Sequence, residues 1–299
     1  MPADLPSPDH PLRIGTRGSP LAIAQAVETR DRLMAAHGLP EAAFEIVQIR
    51  TTGDKVQDRA LSEIGGKGLF TLEIEHALLD GGIDIAVHSM KDMPTVLPEG
   101  LIVTALLPRE DVRDAFVSPR HGAIAALPEG ATVGTSSLRR RAQLLHRRPD
   151  LRVVEFRGTV QTRMRKLSEG VAEATFLACA GLRRLGLTEH IRAVVEVEEM
   201  LPAVAQGAIG IEAREDDEAT RTLLAAIHDE TTGHRLAAER AFLAGLDGSC
   251  RTPIGGLAVI EDAGVWLRGE IVRPDGSERY RTERRGPLTE AAVMGAEAA

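Results

Sequence analysis

Short apolar runs alternate along this chain with stretches whose apolar positions recur at helical spacing, the pattern of α/β units built on largely parallel sheets. Leu12 to Ile14 reads as a strand, and Ser19-Pro20 offers an N-cap followed by proline at the first helical position, predicting a helix to about His37. Phe44 to Ile49 alternates as a half-buried strand does. Phe70 to Leu79 has helical periodicity with Gly81 placed to end it, and Ile83 to Val87 is a buried strand closing on His88-Ser89.

A second set begins near Arg113. Strands are expected at Ala115–Val117, Thr132–Gly134, Val153–Phe156 and Ala174–Leu177, with helices over about Ser137–Arg147 and Val160–Leu167 between them. Past Leu201-Pro202 the order changes: helices over 216–228 and 232–245 precede strands near 256–261, 264–272 and 278–285 and a short final helix, which suggests a separate α+β domain. Pro108 and Pro202 punctuate hinges. The expected division is a disordered tail over 1–10, a discontinuous first domain over 11–107 and 202–225, a second over 108–201, and a C-terminal domain over 226–299.

Length and composition agree with this. At 299 residues the chain can build two or three cores, and with aromatics at 3% those cores must rest on Ala, Leu, Val and Ile. A net charge of -8 argues against bulk nucleic-acid binding. Two isolated cysteines, Cys179 and Cys250, make neither a disulfide framework nor a zinc site, and the nine histidines show no ligand spacing, so no metal is expected. No apolar stretch approaches the ~18 residues that span a bilayer, and the first ten residues lack a signal-peptide pattern; the cytoplasm is the expected compartment, with no membrane partner.

The densest chemical signal is basic: ten Lys or Arg against two acids between Arg139 and Lys166. Such a run can be a solvated helix face. Yet Thr135-Ser136-Ser137 lies between a strand and the helix carrying Arg139 and Arg140, and Arg157-Gly158-Thr159 repeats the arrangement ahead of Arg163. Loops of this kind, at the carboxyl ends of strands, bind anions through backbone N–H groups, hydroxyls and guanidinium forks, here pointing to a ligand with several carboxylates or phosphates.

His88 through Pro94, directly after a buried strand, is either a turn closed by Pro94 or a site where Lys91 supplies a cation and Asp92 a carboxylate for proton work. Asp247 through Gly255 is a glycine-flanked loop around Cys250. That cysteine is either a small buried hydrophobe or, beside Arg251, a thiolate able to act as nucleophile or attachment point. Cys179, in an apolar run, reads as core. Gly65-Gly66-Lys67-Gly68 lacks the Ser/Thr of a phosphate loop and reads as a lid carrying one cation.

From Leu12 onward the chain resembles the porphobilinogen deaminase (hydroxymethylbilane synthase) family. The resemblance rests on Thr16 to Ala22, Gly65 to Phe70, His88 to Pro94, Gly134 to Arg140, Arg157 to Arg163, Ala180 to Gly186, Leu201 to Ala208 and Gly248-Ser249-Cys250, in the family's order. It implies two α/β domains like those of periplasmic binding proteins and a C-terminal α+β domain. It also implies a transferase of tetrapyrrole (haem) biosynthesis that joins four porphobilinogen molecules head to tail into hydroxymethylbilane, releasing ammonia.

By the same resemblance Cys250 carries a dipyrromethane cofactor through a thioether, and Asp92 is the catalytic carboxylate. Lys91, Ser89, Thr135, Ser137, Arg139, Arg140, Arg157 and Gly158 are implied to hold the cofactor, and Arg17, Ser19, Lys67, Phe70, Arg163, Arg184 and Gln206 the substrate. Loss of ammonia leaves a cationic azafulvene, which a carboxylate at the pyrrole N–H can stabilise, while arginines neutralise the acetates and propionates of the growing chain.

Four positions depart from the family pattern. Gly18 stands where relatives often carry a larger polar residue, Glu63 where some have Lys, Thr159 for a frequent Asn and Ala205 for a frequent Gly. No exposed apolar stripe advertises an interface, so a monomer is expected. The competing reading is a cytosolic two-lobed small-anion binding or sensor protein without catalysis, which gives Cys250 and Asp92 no role.

Overall fold

The computed structural model describes residues 5–55, 70–249, 252–262 and 264–299. In chain order the elements are β1 (Leu12–Arg17), α1 (Pro20–His37), β2 (Phe44–Ile49), α2 (Thr52–Lys55), α3 (Leu72–Leu79), β3 (Ile85–Ser89) and β4 (Leu101–Leu106). There follow β5 (Asp114–Val117), β6 (Thr132–Gly134), α4 (Leu138–Arg147), β7 (Arg152–Val154), α5 (Val160–Ser168), β8 (Ala174–Ala178), α6 (Cys179–Arg184) and β9 (Ala193–Val195). The last stretch holds β10 (Ile209–Arg214), α7 (Glu218–Ala225), α8 (Glu230–Gly245), β11 (Ile254–Glu261), β12 (Gly264–Val272), β13 (Arg279–Pro287) and α9 (Ala291–Glu297). Before β1, Ser7 and His10 exchange backbone hydrogen bonds across a turn.

The described residues fall into two compact units, one formed by residues up to 55, 70–109 and 208–233, the other by 110–207 and 234–299. The first unit holds a five-stranded sheet in the order β2-β1-β3-β10-β4. The second holds a five-stranded sheet, β7-β6-β8-β5-β9, and the three-stranded antiparallel sheet β11-β12-β13.

The two larger sheets share one plan. In each, the second strand (β1 or β6) has parallel neighbours on both sides, and the fourth (β10 or β5) runs antiparallel to both of its neighbours. The expectation of largely parallel sheets is therefore corrected to mixed ones. Parallel pairing arises where a helix carries the chain back to the same end of the sheet, as α1 does between β1 and β2. β10 and β5 are each entered straight from the other unit, with no helical crossover in between to set their direction.

Local chemistry explains where the helices begin and end. Ser19 caps α1, its hydroxyl accepting the Ala22 N–H at 3.2 Å with Pro20 at the first helical position, and Gly38 closes it in the left-handed region at φ 66°. Ser137 and Thr159 cap α4 and α5 in the same way. Because Thr and Asn both accept from the first-turn amides, Thr159 in place of Asn keeps the cap.

Each sheet is covered by apolar side chains. Ile14, Leu33, Ile85, Ile211 and Leu224 pack on one face of the first sheet, and Ile74, Leu78 and Leu101 on the other. Phe116 and Phe176 meet edge to face at 5.9 Å in the second. Phe242 of α8 lies under the third sheet, where a Cβ at Gly269 would come within 2.4 Å of its ring; glycine makes that approach possible.

Candidate active site

In the first unit the chemistry gathers beyond the ends of β1 and β3. β1 ends on Arg17, whose guanidinium lies 4.2 Å over the Phe70 ring. β3 runs through His88 and Ser89 into a 3-10 turn, Met90–Asp92, that carries Lys91 and Asp92. Ser89 is tied to α1 by reciprocal bonds with Gln25, the amide Nε2 donating at 2.8 Å and the hydroxyl to Oε1 at 3.1 Å. Arg17, Ser19, Phe70, Ser89 and Asp92 line one pocket, walled by Leu21, Ala22, Val87 and Met93. Five predicted residues thus converge there, and Lys91 stands beside them in the turn. Gly18 adjoins the same loop; a Cβ there would meet nothing nearer than Gln48 Oε1 at 3.5 Å, an ordinary contact, so the position does not require glycine.

Behind this pocket lies a titratable cluster that the sequence did not signal. His88, which also lines the pocket, has Nε2 3.1 Å from Oε2 of Glu212 on β10, and Glu212 is fully buried. Glu75 of α3 is buried nearby, and neither its Oε1 nor that of Glu212 has a hydrogen-bond partner. Burial pushes the Glu75 carboxyl above its ordinary value, and the charge of Glu212 acts in the same direction.

In the second unit the predicted arginines assemble around a residue not foreseen as part of the site, Asp114, the first residue of β5. Its Oδ2 accepts from Arg139 at 2.8 Å, and its Oδ1 from Arg140 at 2.7 and 3.1 Å and from Gln206 Nε2 at 3.0 Å. Arg139 also donates to the Leu201 carbonyl and Arg140 to that of Phe176. Asp114 is 0% exposed, Arg139 4% and Arg140 6%. Burial alone would raise the Asp114 carboxyl, but the two guanidiniums outweigh it and hold the group well below the usual carboxylate range. Burial drives Arg139 below its ordinary value, with the like charge of Arg140 adding to the effect and Asp114 opposing it.

The remaining predicted residues frame this cluster. Thr135 is buried, and its hydroxyl accepts the Ser137 N–H at 3.2 Å, while Ser137 caps the helix that bears both arginines. Gly158 sits at φ 120°, where a Cβ would lie 2.6 Å from Thr162, so the loop Arg157-Gly158 requires glycine. Arg163 Nε donates to the Gly158 carbonyl at 2.9 Å and Lys166 Nζ to that of Arg157 at 3.0 Å, fastening the loop to α5. Arg184 donates through both terminal nitrogens to the Gly207 carbonyl at 3.2 Å, next to Gln206.

Lys67, the glycine-rich stretch 65–68, Glu63 and Cys250 lie outside the described residues. Cys179 is buried and its thiol is pushed up to about 11 by that burial, which fits its reading as core. Of the residues missed in the sequence, Asp114 left one trace, an acid heading a fully buried strand. Glu212 left none beyond its place in an apolar run.

Comparison with known proteins places these features in context. Residues 12–222 match the family model described as porphobilinogen deaminase, dipyromethane cofactor binding domain, and residues 234–299 match its C-terminal domain. Porphobilinogen deaminase of Paracoccus denitrificans is 66% identical over 295 residues, covering 99% of this chain and 94% of that protein. Its counterpart from Nitrobacter winogradskyi is 57% identical over 286 residues, 96% of this chain and 90% of that one. A nutrient-binding protein from Burkholderia cenocepacia, solved bound to methionine, is similar at 15% identity and a TM-score of 0.45 over 72% of this chain and 90% of that one.

Proposed function

Because the chain belongs to the porphobilinogen deaminase family, we propose that Asp92 is its catalytic carboxylate and Cys250 the thioether anchor of its dipyrromethane cofactor. The reaction is the family's: a transferase joins porphobilinogen units head to tail into hydroxymethylbilane with release of ammonia, within tetrapyrrole biosynthesis.

The observation that carries the residue assignment is the first-unit pocket, which combines the Asp92 carboxylate and the Arg17 cation with apolar walls. A pyrrole ring needs that combination: an acceptor for its N–H, a cation for its carboxylate arms, and a dry surface for its face. Asp92 accepts the substrate N–H, and as ammonia departs the positive charge delocalises onto that nitrogen, where the carboxylate stabilises it. Asp92 enters the cycle protonated and gives its proton to the leaving amine; after the carbon–carbon bond forms, the resulting carboxylate takes up the proton released from the ring carbon that made the bond. Proton gain and loss balance within one cycle.

The second-unit cluster suits a group bearing several carboxylates. Arg139 Nε is buried without a hydrogen-bond partner, and two guanidiniums face a single carboxylate, leaving one excess positive charge. Arg139 and Arg140, with Thr135, Ser137, Arg157 and Gly158, would hold the cofactor, which when bound supplies the nucleophilic pyrrole carbon from which the chain is extended. Arg163 and Arg184 would meet the carboxylates of the lengthening product, with Lys67 and Lys91 as further cations. The three sheets, each with its own apolar core, support reading the chain as two α/β domains and a C-terminal domain. No helix of the described residues is long and apolar enough to cross a membrane. The acidic net charge argues against nucleic-acid binding, and we read the protein as a cytoplasmic monomer.

Intact mass of the purified protein tests the anchor. A two-pyrrole increment is expected on the wild type and its loss in Cys250→Ser; an active wild type of unmodified mass rules the anchor out. Asp92→Asn should keep that increment and the fold while losing turnover at least ~100-fold, the scale of general acid–base catalysis. Near-normal turnover would remove Asp92 from the chemistry.

A further inference from the structure

Arg139 and Arg140 are consecutive on the first turn of α4, so their side chains leave the helix about 100° apart. Their guanidiniums are nevertheless brought onto one carboxylate, Arg139 on Oδ2 of Asp114 and Arg140 on Oδ1, with the Gln206 amide joining the second oxygen. Arg139 gives Asp114 one hydrogen bond and Arg140 gives it two, and each arginine donates one more to a backbone carbonyl. The arrangement is buried, carries one positive charge in excess, and leaves Arg139 Nε without a partner.

We propose that Asp114 is a positioning residue for cofactor binding: it clamps the Arg139 and Arg140 guanidiniums into one fixed fork whose remaining N–H groups receive the cofactor's carboxylates. The inference rests on Arg139 and Arg140 facing the cofactor. Two long cationic side chains without a shared counter-charge repel each other and keep their rotamer freedom, both of which oppose simultaneous contact with one anion. A carboxylate that engages both removes the repulsion and the freedom while leaving a net cation. Simple charge counting makes the opposite prediction, because removing a negative charge beside an anion site should tighten anion binding. The sign of the effect separates the two.

The test compares the wild type with D114N, which removes the charge at constant shape, and D114E, which keeps the charge on a longer arm. Each is purified, checked for folding by circular dichroism and a cooperative melt, then weighed intact and assayed with porphobilinogen. Positioning predicts that folded D114N loses cofactor occupancy at least ~10-fold, the scale on which loss of an orienting partner acts at a ligand site, and that D114E recovers part of it. Folded D114N with full occupancy and wild-type kcat/KM, or with tighter cofactor retention, would overturn the proposal. If D114N fails to fold, D114E decides: reduced occupancy supports the clamp and unchanged occupancy with unchanged kinetics rejects it. The wild-type mass is read first, so an absent cofactor counts against the anchor assignment and not against Asp114.

Discussion

His88 and Glu212 meet with Nε2 and Oε2 3.1 Å apart on neighbouring antiparallel strands, one side chain lining the Asp92 pocket and the other wholly buried behind it. β10 reaches this position only after the chain has visited the second unit, so a residue 124 positions later holds the ring beside the pocket. Asp92 follows four residues after His88, in the turn that β3 presents.

Glu212→Ala should destabilise the protein by about 1–3 kcal/mol, the cost of leaving a buried polar group without its partner. Glu212→Gln, which keeps an acceptor, should cost less. Urea denaturation orders the three proteins; equal stability of both variants would show that the imidazole does not depend on this contact.

The raised Glu75 carboxyl gives a pH signature. In the unfolded chain Glu75 loses its proton near the ordinary 4.5, while in the folded protein it keeps that proton to higher pH. The unfolded state therefore binds fewer protons than the native state above that value, so this residue's contribution to stability falls as pH rises until the folded group titrates. Glu75→Gln, neutral at every pH, should remove the decline and grow progressively more stable than wild type as pH increases. Denaturation at pH 4.5, 6 and 8 measures the difference, and parallel profiles would contradict it.

Two positions between β9 and β10 should respond with opposite signs. Ala205 is 1% exposed and sits at φ 61°, a left-handed conformation that costs a residue with a Cβ about 1–2 kcal/mol. Its N–H is fixed there by Glu239 Oε2 at 2.7 Å. Ala205→Gly should relieve that strain and raise the melting temperature. Gly207, at φ 90°, has no room: a Cβ would stand 2.5 Å from the Glu110 carbonyl oxygen. Gly207→Ala should lower the melting temperature and disturb the carbonyl that Arg184 grips. Calorimetry of the two variants checks both signs.

Much of the fold was legible where the signals are local. Phe44–Ile49, Thr132–Gly134 and Gly264–Val272 have their expected bounds, and the Ser19-Pro20 start of α1 stands as read, because alternation, capping and proline geometry act within a few residues. β4, β9, α6 and above all β10 were missed. Ile209–Arg214 is as long as Phe44–Ile49, but it follows no helical crossover and its pairing partners lie more than a hundred residues away in sequence.

The same division holds for the site. Motif order alone was enough to identify the family and to nominate Asp92, Cys250 and the arginine cluster, since reactive residue types and glycine positions are written directly in the chain. Which arginines stand where, and on what, came from the folded molecule. Arg139 and Arg140 look like surface charge in a basic run, yet they are buried against Asp114, 25 and 26 residues earlier. A charge pair of that kind depends on which strand reaches the helix start and how completely water is excluded. Neither is a property of neighbouring residues; both follow from how sheet and helices pack together.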